Sequence, residues 1–165
     1  MSAPRIPPDV ASSATVSMGM PLFNADRYLE EAIRSLLGQT FEDFELIISD
    51  NASTDRTETI CRDFAATDRR IRYLRNAENV GFVKNQNRVI ELANGRYFLL
   101  THGDDVRAPG YLRATVPILD SEDDVVIAHC KTRDIDENGH PLPRQDPPLR
   151  FDSQNVRDRF ADVIR

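Results

Sequence analysis

The sequence predicts an α/β protein with a mostly parallel sheet flanked by helices. Two observations carry this. Short apolar runs alternate with amphipathic stretches along residues 15–129, the pattern of strand, crossover helix, strand. The apolar run Tyr97–Leu100 then leads through Thr101, His102 and Gly103 into the adjacent carboxylates Asp104 and Asp105. Such a run reads as a strand buried on both faces, with the acids just past its C-terminal end. In an open parallel sheet, ligands sit at that edge.

Each element follows from local chemistry. Residues 15–20 read as the first strand, ended by Pro21. Leu29, Ala32, Ile33, Leu36 and Leu37 fall on one helical face, with Gly38 at its C-terminal end. Asn24 or Asp26 is placed to cap that helix. Residues 44–49 are the second strand, followed by a cluster of turn residues from Asp50 to Asp55, with Asp55 the expected cap of the next helix. Thr57, Ile60, Cys61, Phe64 and Ala65 form that helix's inner face, and residues 71–74 form a short third strand. After the turn 76–81, Gln86, Val89, Ile90 and Ala93 are expected to face inward from a third helix. Residues 96–100 are the fourth strand. A fourth helix starts near Pro109 and carries Tyr111, Leu112, Thr115, Val116 and Leu119 inward, with Pro117 expected to kink or shorten it. Residues 125–129 read as a fifth strand. Residues 131–135 either extend it or open a hairpin through Asn138 and Gly139. The turns after strands one to four would open on one edge of the sheet, so Phe23, Asp50, Gly81 and Asp104 converge on one cleft.

The organisation expected is a disordered leader over 1–14, a ligand-binding domain over 15–135, and a hairpin with a Pro-rich connector over 136–165 that ends in a helical segment. The chain has 165 residues, 27 acidic and 21 basic, for a net charge of −6. That balance argues against a nucleic-acid partner held by a basic surface. It leaves phosphate ligands open, because a cation can supply the missing charge. Cys61 and Cys130 have no metal-binding or redox spacing and read as buried thiols in a reducing compartment. No stretch of 18 apolar residues exists to span a membrane. The glycines never form a dinucleotide fingerprint or a phosphate loop.

In the expected cleft, Asp104 and Asp105 are oxygen donors suited to a hard divalent cation. His102 beside them reads either as a third ligand or as a hydrogen-bonding loop residue. Asp50 can accept a base N–H or a ribose hydroxyl; the alternative is a turn role. Phe23 can stack on a base ring or staple the first helix. Asn24 reads first as a helix cap.

These residues carry a resemblance. The segments Met-Pro-Leu-Phe-Asn at 20–24 and Leu-Ile-Ile-Ser-Asp-Asn-Ala-Ser-Thr-Asp at 46–55 resemble the N-terminal half of a family 2 glycosyltransferase with a GT-A, Rossmann-like fold. Asn79-Val-Gly81 with Asn87, Gly95-Arg-Tyr97 and Gly103-Asp104-Asp105 before Pro109 extend the likeness in order. It implies an inverting, hexosyltransferase-like enzyme of cell-surface polysaccharide synthesis. The donor would be a nucleotide-diphosphate sugar, of UDP type, used with Mg²⁺ or Mn²⁺. The acceptor would be a saccharide, lipid or protein, and the location cytoplasmic or peripheral to the inner membrane face. Carried over, Pro21, Phe23, Asp50 and Asp104 are nucleotide-binding, Asp104 is the metal ligand and Asp105 supports it. Asn24, Gly81 and Asn87 lie near the nucleotide. The sequence departs from the family at His102, where the first acid of its Asp-x-Asp element stands. The catalytic base is expected beyond Arg165, so the chain reads as a truncated, poorly active donor half. The competing readings are a non-catalytic nucleotide-sugar-binding module and a metal-dependent nucleotidyltransferase.

Overall fold

A computed structural model describes residues 14–143. The expectations for the leader, for Pro147 and Pro148, and for a helix after residue 150 lie outside the described residues. The chain forms two compact units, divided between Ala128 and His129. In the first, strands and helices alternate without exception: β1 Val16–Leu22, α1 Leu29–Leu37, β2 Phe44–Asp50, α2 Thr57–Thr67, β3 Ile71–Arg75, α3 Phe82–Glu91, β4 Tyr97–Leu100 and α4 Tyr111–Ser121. The four strands form one sheet in the order β3-β2-β1-β4, and every pairing is parallel. This is the predicted α/β architecture.

Strand alternation divides the side chains between two faces. Met18 and Met20 of β1 and Leu46 and Ile48 of β2 enter one core with Leu29, Ile33 and Leu36 of α1, Ile60 of α2 and Leu112 and Val116 of α4. The opposite face is covered by α3. There Ser17 and Gly19 are small, and the space above Gly19 is filled by Val89 of α3 and the Phe98 ring, either of which would lie under 3 Å from an added Cβ. Ile47, paired with Gly19, is fully buried on this face.

Several expectations are corrected. β1 is not ended by Pro21 but runs two residues beyond Met20, through Leu22. Carbonyls of even-numbered β1 residues turn toward β2, as Leu22 O accepts from Asn51 N–H, and those of odd-numbered residues turn toward β4, as Gly19 O accepts from Thr101 N–H. Pro21 nitrogen therefore faces the side where β4 has already ended, and its missing donor costs no bond to β2. β4 is not buried on both faces. It is the edge of the described sheet, so Phe98 is 38% exposed while Leu99 is partly buried against the core. On α3 the inward residues are Asn85 and Val89, whereas Ile90 is exposed, so the true face lies one step from the apolar count. Pro117 does not cut α4 short; the helix continues to Ser121, held by buried Leu112, Thr115 and Val116. Residues 125–129 form no strand. Val126 and Ile127 are 86% and 76% exposed, since a β-prone run without a neighbouring strand has no ladder to join.

In the second unit the hairpin forms. Ile135 and Pro141 make an antiparallel bridge, and Asp136 Oδ1 accepts the N–H groups of Asn138 and His140 at 2.8 Å each. Gly139 supplies the positive φ of the turn.

Candidate functional site

The C-terminal ends of the strands surround a cleft of about 510 Å³. The end of β1 contributes Pro21 and the turn after it Phe23, Asn24, Arg27 and Tyr28, the turn after β2 contributes Asn51, and the loop after β4 contributes His102, Gly103 and Asp104. Asn79, Phe82 and Asn85 close it from the start of α3. Of the residues singled out from the sequence, Pro21, Phe23, Asn24, His102 and Asp104 share this cleft. Asp50, Asp105, Gly81 and Asn87 are not among its lining residues.

Two turns are laced together at its rim. Asn24 N–H donates to Ser53 Oγ at 2.9 Å, and Asn24 Oδ1 accepts the Thr54 N–H at 2.8 Å. This engages Asn24 away from α1, whose N-terminal residue Tyr28 makes no side-chain cap. Asp26 also leaves α1 uncapped and pairs with Arg56 at 3.4 Å. Asp55 does stand at the start of α2, accepting the Thr57 N–H at 2.9 Å, and it reaches across to the Asp26 N–H at 3.1 Å. Asn24 and Ala52 both adopt positive φ, 48° and 60°. Asn tolerates that conformation; Ala does so at a cost, so the surrounding hydrogen bonds enforce it.

Asp50 lies beneath this rim, fully buried. Oδ1 accepts the Ser53 N–H at 2.9 Å, and Oδ2 accepts from Tyr73 Oη at 2.9 Å and from Arg75 Nη1. Burial alone would raise the Asp50 pKa, but hydrogen bonds from Ser53, Tyr73 and Arg75 outweigh it and hold it below the ordinary carboxylate range. Arg75 also reaches Ser53 O at 2.8 Å and Glu58 at 3.3 Å. Asp50 is thus a clamp on the turn that presents Asn51.

The floor is a network of asparagines, which periodicity arguments miss. Asn51 Oδ1 accepts from Asn76 Nδ2 and Val80 N–H at 2.8 and 3.0 Å, while its Nδ2 donates to Asn79 Oδ1 at 2.7 Å. Asn85 Nδ2 donates to Leu22 O and Ser49 O at 3.3 and 2.9 Å, and its Oδ1 accepts from Ser49 Oγ and Asn76. Arg88 completes the set on Asn76 Oδ1. A fully satisfied buried network of this kind fixes one geometry. The sequence signal was present as Asn85 standing four residues before Val89, the spacing of one helix face. Gly81 holds φ 87° at the start of α3, a glycine conformation, and Asn87 is exposed on that helix.

The loop after β4 carries the charge. Asp104 is exposed and makes no ion pair or side-chain hydrogen bond to another described residue. Asp105 is engaged: its Oδ2 lies 3.5 Å from His102 Nδ1 and 3.4 Å from Arg107 Nη2. Among the described residues no three His, Cys, Asp or Glu side chains gather into a cation site. An ion here would take Asp104 as its carboxylate and complete its shell from a ligand and water, which suits a cation that arrives with phosphates.

Comparison with known proteins decides the family. The model of glycosyl transferase family 2 matches residues 17–163. The chain belongs to that family. Among its relatives, an uncharacterized glycosyltransferase of Methanocaldococcus jannaschii is 28% identical over 147 residues, covering 88% of this chain and 50% of that protein. Another, from Rickettsia prowazekii, is 33% identical over 145 residues, covering 87% of this chain and 44% of that protein. The chain thus spans about half the length of these curated relatives. Among solved structures, S. aureus TarS 1–349 in complex with UDP-GlcNAc superposes with a TM-score of 0.62 at 25% identity, covering 66% of this chain and 32% of that one. A mannosyltransferase of Pyrobaculum calidifontis, solved with GDP-Man and Mn²⁺, shares the fold at a TM-score of 0.60 and 24% identity, covering 72% of this chain and 37% of that one. The family 2 motifs noted in the sequence fall on the two laced turns, the start of α3 and the loop after β4. Among the described residues no helix is long and apolar enough to cross a membrane.

Proposed function

We propose that this cleft binds a nucleotide-diphosphate sugar of UDP type and forms the donor site of an inverting, hexosyltransferase-like reaction. The observation that carries the reading is Asp104: an exposed carboxylate without a partner among the described residues, lining the cleft of a family 2 chain. TarS, whose structure shares this fold, was solved with UDP and with UDP-GlcNAc. Pro21 and Phe23 supply an apolar wall for the base, and Phe23 is 49% exposed, free to take a ring against it. Asp50 contributes by holding the turn through Ser53, Tyr73 and Arg75; Asn24, Gly81 and Asn87 support the surrounding loops. Asp104 would hold Mg²⁺ or Mn²⁺ with Asp105 behind it, and the cation would offset charge developing on the leaving diphosphate. The acceptor, whether saccharide, lipid or protein, and a cytoplasmic site of action belong to the same proposal.

One observation favours a second reading, a module that binds the donor without transferring it. Asp104 is the one carboxylate among the described cleft residues. If it holds a cation, no carboxylate among them is left to deprotonate an acceptor hydroxyl. The nucleotidyltransferase reading yields to the family assignment.

Thermal unfolding with UDP and Mn²⁺ tests the donor site. Ligand at a hundred times Kd stabilises by about 2.7 kcal/mol, a rise of roughly 5–11 °C at ~2–4 °C per kcal/mol. Asp104→Asn should abolish the Mn²⁺-dependent part of the rise and leave the ligand-free melting temperature within a degree or two. Equal Mn²⁺-dependent shifts in both proteins would remove Asp104 from the site.

A further inference from the structure

The chain between β1 and α1 is tied to the turn after β2 through consecutive backbone N–H groups. Asn24 donates to Ser53 Oγ and Ala25 to Thr57 Oγ1, each at 2.9 Å, and Asp26 donates to Asp55 Oδ2 at 3.1 Å. The next residue, Arg27, lines the cleft, whereas the Asp26 carboxylate turns to Arg56. The loop after β4 packs on the same segment: a Cβ on Gly103 would lie 2.8 Å from the Leu22 side chain, 3.2 Å from Ala25 Cβ and 3.4 Å from the Leu29 side chain. Arg27 and the exposed carboxylate Asp104 are therefore carried on backbone segments that touch. Arg27 is the one arginine or lysine among the described residues lining the cleft. Its Cζ lies 4.8 Å from the centre of the Tyr28 ring, which lines the cleft beside it. A guanidinium stacked on a ring uses its face and keeps its N–H fork in its own plane, the geometry that grips phosphate oxygens in pairs.

Resting on the reading of this cleft as the donor site, we propose that Arg27 binds the donor's diphosphate directly through its guanidinium. The base and ribose of such a donor are uncharged, so the phosphates are the part that a guanidinium selects. A diphosphate entering beside Asp104 meets a like charge, and Arg27 supplies a permanent positive charge on the neighbouring segment. The anchored backbone before Arg27 fixes where that charge stands. Tyr28 is a positioning residue, since its ring holds the plane of the fork.

Equilibrium titrations of the full chain with UDP and with uridine, both in saturating Mn²⁺, test the assignment. Uridine shares the base and ribose and lacks the phosphates. Arg27→Ala should weaken UDP on the order of ten- to a hundredfold, the worth of a hydrogen bond to a charged group, and leave uridine affinity unchanged. Arg27→Lys keeps the charge without the fork and should recover part of the loss. Arg27 is exposed, so neither replacement should move the melting temperature of the ligand-free protein by more than about 2 °C. UDP affinity unchanged in Arg27→Ala, or a loss shared equally by uridine, would overturn the inference and leave the donor site standing. Failure of the wild-type chain to bind UDP would overturn both.

Discussion

Removing the Asp50 carboxylate would strand three donors at once, the Ser53 N–H, the Tyr73 hydroxyl and the Arg75 guanidinium. Arg75 keeps Glu58 as a second partner and is partly solvated, which softens the loss. Asp50→Ala should therefore destabilise by about 2–4 kcal/mol, toward the lower end for a broken buried pair, as read by urea unfolding. The pH dependence has a definite sign. The folded-state pKa of Asp50 is depressed, so its stabilisation is present above the unfolded value of about 3.9 and is lost as pH falls through the folded value. Asp55 acts in the same direction, because hydrogen bonds from the Thr57 and Asp26 N–H groups outweigh its burial. Wild type should lose stability steeply below pH ~4, and Asp50→Asn should show a shallower loss; identical slopes would show that the carboxylate is not clamped in solution. None of this was legible in the sequence. A carboxylate at a strand end looks the same whether it faces a ligand or the arginine paired with it on the neighbouring strand.

Two glycines set how closely β4 and the chain leading into it approach β1. A Cβ on Gly19 would meet the Phe98 ring at 2.7 Å, and one on Gly95 would meet the Ser17 backbone nitrogen at 2.5 Å. The first obstacle is a half-exposed ring that can swing aside; the second is main chain. Gly19→Ala should cost about 1–3 kcal/mol, the usual range for overpacking, and Phe98→Ala should recover part of it. Gly95→Ala should cost more, and Phe98→Ala should recover nothing; equal rescue in denaturant titrations would contradict the packing described. The existence and order of all eight elements in the first unit could be read from hydrophobic period and turn residues. Their neighbours could not. β4 reads as doubly buried because its four residues are apolar, yet lateral position in a sheet is a property of pairing, which a local pattern does not encode. For α3 the period was legible but its phase was not, since Asn85 is a polar residue at a core position.

The first unit protects one thiol completely. Burial, with the charges of Asp50 and Asp55 adding to it, pushes the Cys61 pKa up to about 12, and the side chain has no exposed surface. Cys130 in the second unit is partly exposed. A disulfide reagent should therefore titrate one thiol of the native protein rapidly and the second only through unfolding, at a rate that tracks denaturant. Rapid reaction of both in buffer would show that the first unit opens far more readily than its packing implies. The cleft itself was foreseeable as a meeting of four strand ends, because parallel topology leaves no other arrangement. Its polar floor was signalled only at Asn85, by the spacing to Val89; the other asparagines depend on three-dimensional partners that no spacing rule reports.

Pro21 has a consequence for how such a site can change over generations. Its nitrogen cannot reach toward Thr101, so the backbone ladder between β1 and β4 is unstitched beyond the Gly19–Thr101 bond, whatever side chains follow. The separation of the two loops is thus written in the main chain. The side chain at position 102 can then change without the opening zipping shut.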